Sequence, residues 1–184
     1  MIDEYRLRYV DEDIQTVYRR AVEHAATHRQ STFVEIGVML GASARFLCDE
    51  IDRSGKHVHV VLVDPWEKTD SHAYLVRAAG GDFFRAFETY AADVIARPYV
   101  EVFRGKSLDV EIKRQLDNLD FVFLDGDHRF DNVAFEIAFY ASRLRPGGVL
   151  AGHDYTDIDV KRAVNLMCPS AEITGRCWWW KRDC

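Results

Sequence analysis

The amino-acid sequence predicts an α/β protein built on a mostly parallel β-sheet with helices on both faces. Short apolar segments alternate along the chain with segments whose apolar residues recur at helical spacing, which is the pattern of βαβ units. The apolar segments contain few polar residues, as is typical of parallel strands that are buried on both faces. Two glycines, Gly37 and Gly41, follow the first of these segments, where open α/β sheets bind their ligands.

The first third of the chain predicts two helices and two strands. Residues 11–27 carry apolar side chains at positions i, i+3 and i+4, which predicts an amphipathic helix within an N-terminal segment of residues 1–30. The next elements are a strand over 32–36, a helix over 43–51 that stops before Gly55, and a strand over 57–63.

A long insertion, residues 66–98, separates the second predicted strand from the third. It has room for two helices, and its aromatic residues at helical spacing indicate core packing. Because it follows the carboxyl end of a strand, a lid over a substrate is a further interpretation.

The rest of the chain predicts three more strands, a helix and a C-terminal hairpin. The strands cover 100–103, 120–124 and 148–152, the helix covers 132–144, and the hairpin covers 171–180. In the hairpin, Trp178 and Trp180 are expected on one face of the sheet and Trp179 on the other. A protein–protein contact is the alternative for this aromatic run.

Length and charge limit the classes of function. The 184 residues suit one domain, 1–184, and 24 Lys+Arg against 30 Asp+Glu give a formal net charge of −6. This acidic balance provides no general attraction to nucleic acid or to an anionic membrane. No apolar run approaches the roughly 20 residues that span a bilayer. The four cysteines have no C-x-x-C spacing, which predicts reduced thiols in a cytoplasmic protein.

The first motif is a glycine loop, Glu35-Ile36-Gly37-Val38-Met39-Leu40-Gly41-Ala42-Ser43, between a predicted strand and a predicted helix. Its glycines allow a ligand to approach the backbone at a helix N-terminus. It lacks the G-x-G-x-x-G spacing of dinucleotide-binding loops. Glu35 is costly to bury alone, and a positively charged ligand group would suit it. A tight turn without a ligand is the alternative.

Asp64 ends the second predicted strand. It follows the glycines by roughly the 20 residues expected of a carboxylate that accepts hydrogen bonds from ribose hydroxyls. Capping of a following helix is the alternative role.

Two acidic clusters, Leu124-Asp125-Gly126-Asp127-His128 and Gly152-His153-Asp154, follow the fourth and fifth predicted strands. Neighbouring strand ends converge at one edge of a parallel sheet. Two carboxylates at that edge repel each other unless a cation lies between them, and oxygen ligands favour magnesium, manganese or calcium. Helix capping by these aspartates is the alternative.

These motifs in this order resemble those of the class I S-adenosylmethionine-dependent methyltransferases, including the small metal-dependent O-methyltransferases of the catechol and macrocin type. The resemblance covers residues 33–155 and also includes Arg145-Pro146-Gly147-Gly148. It implies a Rossmann-like sheet of seven strands in the order 3-2-1-4-5-7-6, with the hairpin of residues 171–180 as the last two strands.

The resemblance implies S-adenosylmethionine as the cofactor. The glycine loop would face its methionine part with Glu35 beneath, Asp64 would hold the ribose, and Lys106 and Ser107 would contact the adenine beside Trp66. The implied cofactor-binding residues are Glu35, Gly37, Val38, Gly41, Ser43, Asp64, Trp66, Lys106, Ser107 and Asp125.

The resemblance also implies a metal site and a general base. Asp125, His153 and Asp154 match the positions of the ligands of Mg²⁺ or Mn²⁺, although His153 stands where the family usually has an acidic residue. His128 lies where the catechol-type enzymes carry a base that deprotonates the acceptor hydroxyl.

The expected function is therefore methyl transfer from S-adenosylmethionine to a hydroxyl of a small molecule or sugar, assisted by a divalent metal. A metal-dependent phosphohydrolase that uses the His/Asp cluster is one alternative, and a non-catalytic cofactor-binding assembly protein is another. Neither nucleic acid nor a membrane is an expected partner, and a homo-oligomer is left open.

Overall fold

The computed structural model describes residues 10–67, 77, 80–109 and 116–183. Within these ranges, the strands form one sheet in the order β3-β2-β1-β4-β5-β7-β6, which confirms the predicted order. Strands β1 to β5 run parallel to their neighbours, and β7 is antiparallel to both β5 and β6. The strands are β1 (Ser31–Ile36), β2 (Val58–Asp64), β3 (Val100–Arg104), β4 (Leu119–Leu124), β5 (Leu144–Gly152), β6 (Glu172–Thr174) and β7 (Cys177–Lys181).

Helices cover both faces of the sheet. The described helices are α1 (Glu12–His24), α2 (Ala42–Ser54), α3 (Phe83–Tyr90), α4 (Ala92–Ile95), α5 (Phe130–Arg143) and α6 (Ile158–Met167). Helices α1 to α4 contribute to the apolar core on one face, and α5 and α6 contribute to the core on the other. Residues 80–98 of the insertion thus contain the two helices α3 and α4, which agrees with the prediction that it has room for two. The interpretation of this insertion as a lid falls partly on residues 68–76, 78 and 79, outside the described residues.

The central strand β1 shows how burial on both faces selects its sequence. Phe33 packs in the core beneath α1 and α2, whereas Val34 and Ile36 pack in the opposite core. Alternation along a strand sends neighbouring side chains to opposite faces, so both sets must be apolar here. Glu35 is the one charged residue of this strand, and it is only 1% exposed. Such a buried charge needs a partner.

The boundary between α5 and β5 differs from the prediction. The sequence predicts that the helix covers 132–144 and that the strand begins at 148, but α5 begins at Phe130 and β5 begins at Leu144. Leu144 pairs with Leu119, whereas Val149 pairs with Phe121, so the register shifts between these pairs. Pairing with β4 therefore begins before the Arg-Pro-Gly-Gly turn, which a local pattern cannot indicate.

The C-terminal hairpin follows the prediction for its tryptophans. Trp178 packs in the core with α5 and α6, Trp180 packs against that core, and Trp179 lies in the core beneath α1. Trp178 and Trp179 are buried within the chain, so the alternative of a protein–protein contact does not apply to these two rings.

Helix α6 was missing from the prediction. Its signal was present: Asp157 caps the helix by accepting from the backbone N–H groups of Asp159 and Val160. Val160, Ala163 and Val164 then form its buried side.

Two further findings concern the membrane and the thiols. Among the described helices, none has the length and apolarity needed to cross a membrane. Cys48, Cys168 and Cys177 are buried free thiols.

Candidate active site

Two glycines shape the loop between β1 and α2. Gly37 has φ +84°, and a Cβ at this position would lie 2.1 Å from the carbonyl oxygen of Asp125. Gly41 has φ +85°, and its Cβ would lie 2.8 Å from that of Ala91. Glycine alone suits both the backbone angle and the space. The loop therefore lies against the end of β4 on one side and against the insertion on the other.

The carboxylate of Asp64, at the end of β2, holds this loop through hydrogen bonds. Its Oδ2 accepts from the backbone N–H groups of Val38 at 2.9 Å and Met39 at 3.0 Å. Its Oδ1 accepts from the backbone N–H of Trp66 at 2.6 Å. Asp64 therefore lies beside the glycine loop, and its predicted contact with the ribose stays a prediction.

The side chain of Trp66 is buried and connects the loop to the insertion. Its ring centroid lies 4.4 Å from that of Phe87 and 5.0 Å from that of Phe84. Its indole N–H donates to the carbonyl oxygen of Met39 at 2.7 Å. The ring is 2% exposed, so in this structure it supports the loop, and its place beside the adenine stays a prediction.

Glu35 is buried directly beneath the loop with one oxygen unsatisfied. Its Oε1 accepts a hydrogen bond from the hydroxyl of Ser43 at the start of α2. The buried hydroxyl of Tyr18, on α1, lies near the carboxyl group, yet neither this hydroxyl nor Oε2 has a well-aligned hydrogen bond in the described structure. Burial raises the pKa of Glu35 to about 8, although the Ser43 hydrogen bond opposes this. Sequence reasoning missed Tyr18, whose helical spacing indicated only core packing.

The loop after β3 reaches towards α5 rather than towards the glycine loop. Lys106 is exposed, and its backbone N–H donates to Asp109 at 2.6 Å. The hydroxyl of Ser107 donates to Glu136 on α5. Burial raises the pKa of Glu136 to about 7, while the Ser107 hydrogen bond opposes the rise. Sequence reasoning missed Glu136, since a lone acid in a helix carries no local signal. The adenine contacts of Lys106 and Ser107 stay predictions.

The two acidic clusters meet at the strand ends, as expected from the parallel register. One side-chain atom each of Asp125, His128 and Asp154 lies within 4.8 Å of the other two. Nε2 of His128 is 3.1 Å from Oδ2 of Asp154. Their hydrogen bond raises the pKa of His128, and the hydrogen bonds from His128 and His153 hold the pKa of Asp154 far below its usual value. His128 is 45% exposed, so this histidine is accessible to a substrate.

His153 lies between the carboxylates that the sequence predicts to share a cation. Its Nδ1 is 3.5 Å from Oδ1 of Asp125 and 3.4 Å from Oδ2 of Asp154. Its Nε2 lies 3.3 Å from Oδ2 of Asp11 without a well-aligned hydrogen bond. Burial lowers the pKa of His153, but the hydrogen bonds to Asp125 and Asp154 outweigh burial and raise this pKa to about 9.

Arg176, in the hairpin turn, completes the cluster. Its Nη2 donates to Oδ1 of Asp154, and its Nη1 lies 3.2 Å from Oδ2 of Asp11. Sequence reasoning missed Arg176 and Asp11. They belong to a turn and a helix start that lie far from the strand ends in sequence, so only the packing of α1 and the hairpin brings them here.

A narrow cleft lies beside this cluster. Its walls include Asp125, Asp127, His128, Glu136 and His153. Asp127 turns towards α5, accepting hydrogen bonds from Arg129 and from Asn132 at 2.6 Å. The cleft thus has a half-exposed histidine, a paired carboxylate and a buried glutamic acid on its walls.

The sequence and the fold both match known proteins. The family model described as a methyltransferase domain matches residues 34–155. No curated protein matches the chain by sequence.

Solved structures share the fold at low sequence identity. The O-methyltransferase TomG from Streptomyces achromogenes, in complex with SAM, is 17% identical, with 95% of this chain and 82% of that chain covered and a TM-score of 0.62. The N-methyltransferase NodS from Bradyrhizobium japonicum, in complex with S-adenosylhomocysteine, is 13% identical, with 99% and 93% covered and a TM-score of 0.59.

A third solved structure is the methyltransferase MycE of the mycinamycin biosynthetic pathway, in complex with Mg, S-adenosylhomocysteine and mycinamycin VI. It is 15% identical, with 91% of this chain and 49% of that chain covered and a TM-score of 0.59. The family model covers more than half of the chain, from the glycine loop to the end of the His153 cluster. The chain therefore belongs to the methyltransferase-domain family, and its strand order is that of the class I methyltransferase fold.

Proposed function

We propose that this methyltransferase acts on a hydroxyl group of a small molecule or sugar, with His128 as the general base. The observation that carries the proposal is the pair of His128 and Asp154, whose facing atoms are 3.1 Å apart, with His128 on the wall of the cleft. A hydroxyl must lose its proton to become a good nucleophile, and a histidine held by a carboxylate is suited to accept it. The solved structures of similar fold include both O- and N-methyltransferases. The observation that favours a hydroxyl over an amine as the acceptor is therefore the pair of His128 and Asp154.

The cofactor site is proposed at the glycine loop and the ends of β1 and β2. S-adenosylmethionine supplies a methyl group that its sulfonium already activates. Gly37 and Gly41 let the loop pack closely against the end of β4 and against the insertion, and Glu35 presents an unsatisfied buried oxygen beneath the loop. A positively charged ligand group would satisfy that oxygen. Asp64 fixes the amides of Val38 and Met39, which holds the loop in one shape before the cofactor arrives.

The proton transfer follows from the orientation of His128. Nε2 faces Asp154, so the other ring nitrogen, Nδ1, is the one available to take the proton of the acceptor hydroxyl. The acceptor oxygen forms its bond to the methyl carbon as the carbon–sulfur bond breaks, and neutral S-adenosylhomocysteine leaves with the electron pair. Asp154 stabilises the imidazolium that forms, because its own proton affinity is very low.

The side chains at the strand ends fit a divalent cation poorly. The mutual approach of Asp125, His128 and Asp154 would suit shared ligation. However, Arg176 occupies one oxygen of Asp154, and His128 and His153 face the other. A cation would have to displace these groups, so the proposed mechanism includes no step through Mg²⁺ or Mn²⁺. The family assignment also leaves the phosphohydrolase alternative without support.

The test is methyl transfer by the wild type and by His128→Ala, followed as S-adenosylhomocysteine formation with catechols and hexoses as acceptors. We expect the variant to be slower by roughly 10²–10⁴-fold, the usual contribution of a general base. The wild-type rate should rise as the pH passes the raised pKa of His128, because only the neutral imidazole accepts a proton.

The control is His28→Ala, which removes an exposed histidine between α1 and β1. It should match the wild type, and both variants should retain their affinity for S-adenosylhomocysteine. Equal rates for His128→Ala and the wild type would refute the role of the base. Cofactor binding without transfer to any hydroxyl acceptor would favour the assembly-protein alternative.

A further inference from the structure

The tip of the C-terminal hairpin is fastened at the edge of the candidate acceptor site. Gly175 and Arg176 form the turn between β6 and β7. The backbone N–H of Arg176 donates to Oδ2 of Asp13 at 2.8 Å, and its carbonyl accepts from the backbone N–H of Tyr155 at 2.9 Å. The turn is thus bound to the first turn of α1 and to the segment after β5.

Glycine at the turn permits this close approach. Gly175 has φ +57°, and a Cβ there would lie 2.2 Å from Oδ2 of Asp13. Any other residue would be strained at this φ and would displace the carboxylate of Asp13. The packing therefore leaves the side chain of Arg176 directed along the end of β5 towards Asp154.

The guanidinium of Arg176 reaches the carboxylate on which the proposed base depends. Nη2 donates to Oδ1 of Asp154, while Oδ2 of the same carboxylate faces His128 at 3.1 Å. Nη1 is 3.2 Å from Oδ2 of Asp11. Asp154 is only 15% exposed, so Arg176 and the histidines replace much of the water that would otherwise solvate this charge.

The geometry points to Arg176 as a positioning residue of the acceptor site, which fixes Asp154 behind His128 and takes the place of a divalent cation there. A guanidinium stays charged at every pH at which proteins are folded, so it cannot leave Asp154 by losing a proton. Its fixed fork of donors also orients a carboxylate, which a mobile cation in water does not. That an acceptor binds at this site rests on the proposed function. The exclusion of a cation by Arg176 does not depend on it.

The consequence is that the strand ends carry their own positive charge. His153 lies between Asp125 and Asp154, and Arg176 covers the remaining oxygen of Asp154. A divalent cation at this place would meet the repulsion of a permanent positive charge in contact with its own ligand. Methyl transfer should then proceed without added metal.

The experiment is a titration of the whole protein with Mn²⁺, read by the electron paramagnetic resonance signal of the free ion, with no acceptor present. We expect the wild type to bind no Mn²⁺ at these residues when the free ion is at about 1 mM. Its Kd for Mn²⁺ would then exceed about 1 mM, which means a binding free energy less favourable than about −4 kcal/mol. Arg176→Gln should bind Mn²⁺ at least about tenfold more tightly, and Arg176→Lys, which keeps the charge, should resemble the wild type.

The matched control is Arg20→Gln, which removes another contact between α1 and the hairpin, the ion pair of Arg20 and Glu172 at 2.7 Å. It should leave Mn²⁺ binding unchanged. The double variant Arg176→Gln/Asp154→Asn should lose the gained affinity, which would locate the ion.

Two outcomes would overturn the inference. One is binding of Mn²⁺ by the wild type below 1 mM that Asp154→Asn abolishes, a result that does not need Arg176→Gln to fold. The other is a folded Arg176→Gln variant, by its circular dichroism, with no gain of affinity. Failure of S-adenosylhomocysteine to bind would instead count against the proposed function, so the two failures are distinguishable.

Discussion

Glu35 combines complete burial with an unsatisfied oxygen and a pKa of about 8. These properties are unfavourable in the free protein, since a buried acid without full hydrogen bonding costs free energy. They become favourable when a positively charged group binds above the acid. At the scale of single residues, we therefore expect Glu35 to gain a positively charged partner when a ligand binds.

The raised pKa of Glu35 predicts that cofactor binding releases protons near pH 7. The acid is mostly protonated in the free protein, and the ammonium group of the methionine part would lower its pKa on binding. We expect release of up to about one proton per cofactor at pH 7 and less at pH 9, when the acid is already ionised. Calorimetry of S-adenosylhomocysteine binding in phosphate and in Tris would measure the proton count.

The control for this measurement is Glu136→Gln, which removes the other buried acid with a raised pKa. It should release as many protons as the wild type, whereas Glu35→Gln should release none. An unchanged proton count in Glu35→Gln would show that Glu35 does not titrate with cofactor binding.

At the scale of elements, His153 joins three pieces of the fold. It stands at the end of β5, contacts Asp125 after β4 and lies beside Asp11 at the start of α1. Such contacts between elements that are distant in sequence exist only in the folded protein. The protonation of His153 is therefore coupled to folding.

This coupling predicts a loss of stability at alkaline pH. The hydrogen bonds to Asp125 and Asp154 raise the pKa of His153 from 6.5 to about 9 in the folded protein, so the folded state binds the proton more tightly. Its contribution is complete below pH 6.5 and is lost as the pH rises to 9. We expect the free energy of unfolding to fall over this window by on the order of 1–3 kcal/mol. Urea denaturation at several pH values would measure it.

His153→Gln supplies the comparison, because it removes this titration together with the lowering effect of His153 on the pKa of Asp125 and Asp154. Glu35 and Glu136 also lower stability as the pH rises through their raised pKa values, and they do so equally in both proteins. Parallel stability curves for the wild type and His153→Gln between pH 6.5 and 9 would contradict the prediction.

At the scale of the whole molecule, three of the four tryptophans are enclosed by the packing of helices on the sheet. Trp66, Trp178 and Trp179 are buried, and Trp180 is half-buried near the end of β7. The rings lie in both cores, Trp179 in one and Trp178 in the other. Their fluorescence therefore reports on the closure of the hairpin over both faces.

We predict that iodide quenches the fluorescence of the native protein far less than that of free indole. The quenchable fraction should belong mainly to Trp180, so Trp180→Phe should reduce it and Trp179→Phe should not. Quenching of all four tryptophans as in free indole would mean that the hairpin does not pack on the sheet.

Much of the fold could be predicted from the sequence because strand burial and helical spacing are local patterns. The buried strands, the glycine loop and the convergence of Asp125 with Asp154 all followed from short segments and from the rule that parallel strands end at one edge. The start of β5 could not be predicted, since it depends on pairing with β4. The hydrogen bonds from the loop amides to Asp64 could not be predicted either, because they depend on how the end of β2 lies beside the loop after β1.

The sequence by itself determined the class of fold, the family and the position of the site along the chain, because these depend on apolar periodicity and on motifs of a few residues. Only the tertiary structure decided which charges face one another at the site. Asp11, Tyr18 and Arg176 come from α1 with its N-terminal cap and from the C-terminal hairpin, and they reach the site through packing on the sheet. A pair such as Arg176 and Asp154 forms because the packing of the hairpin brings two opposite charges together, and no local pattern records which distant segments will meet.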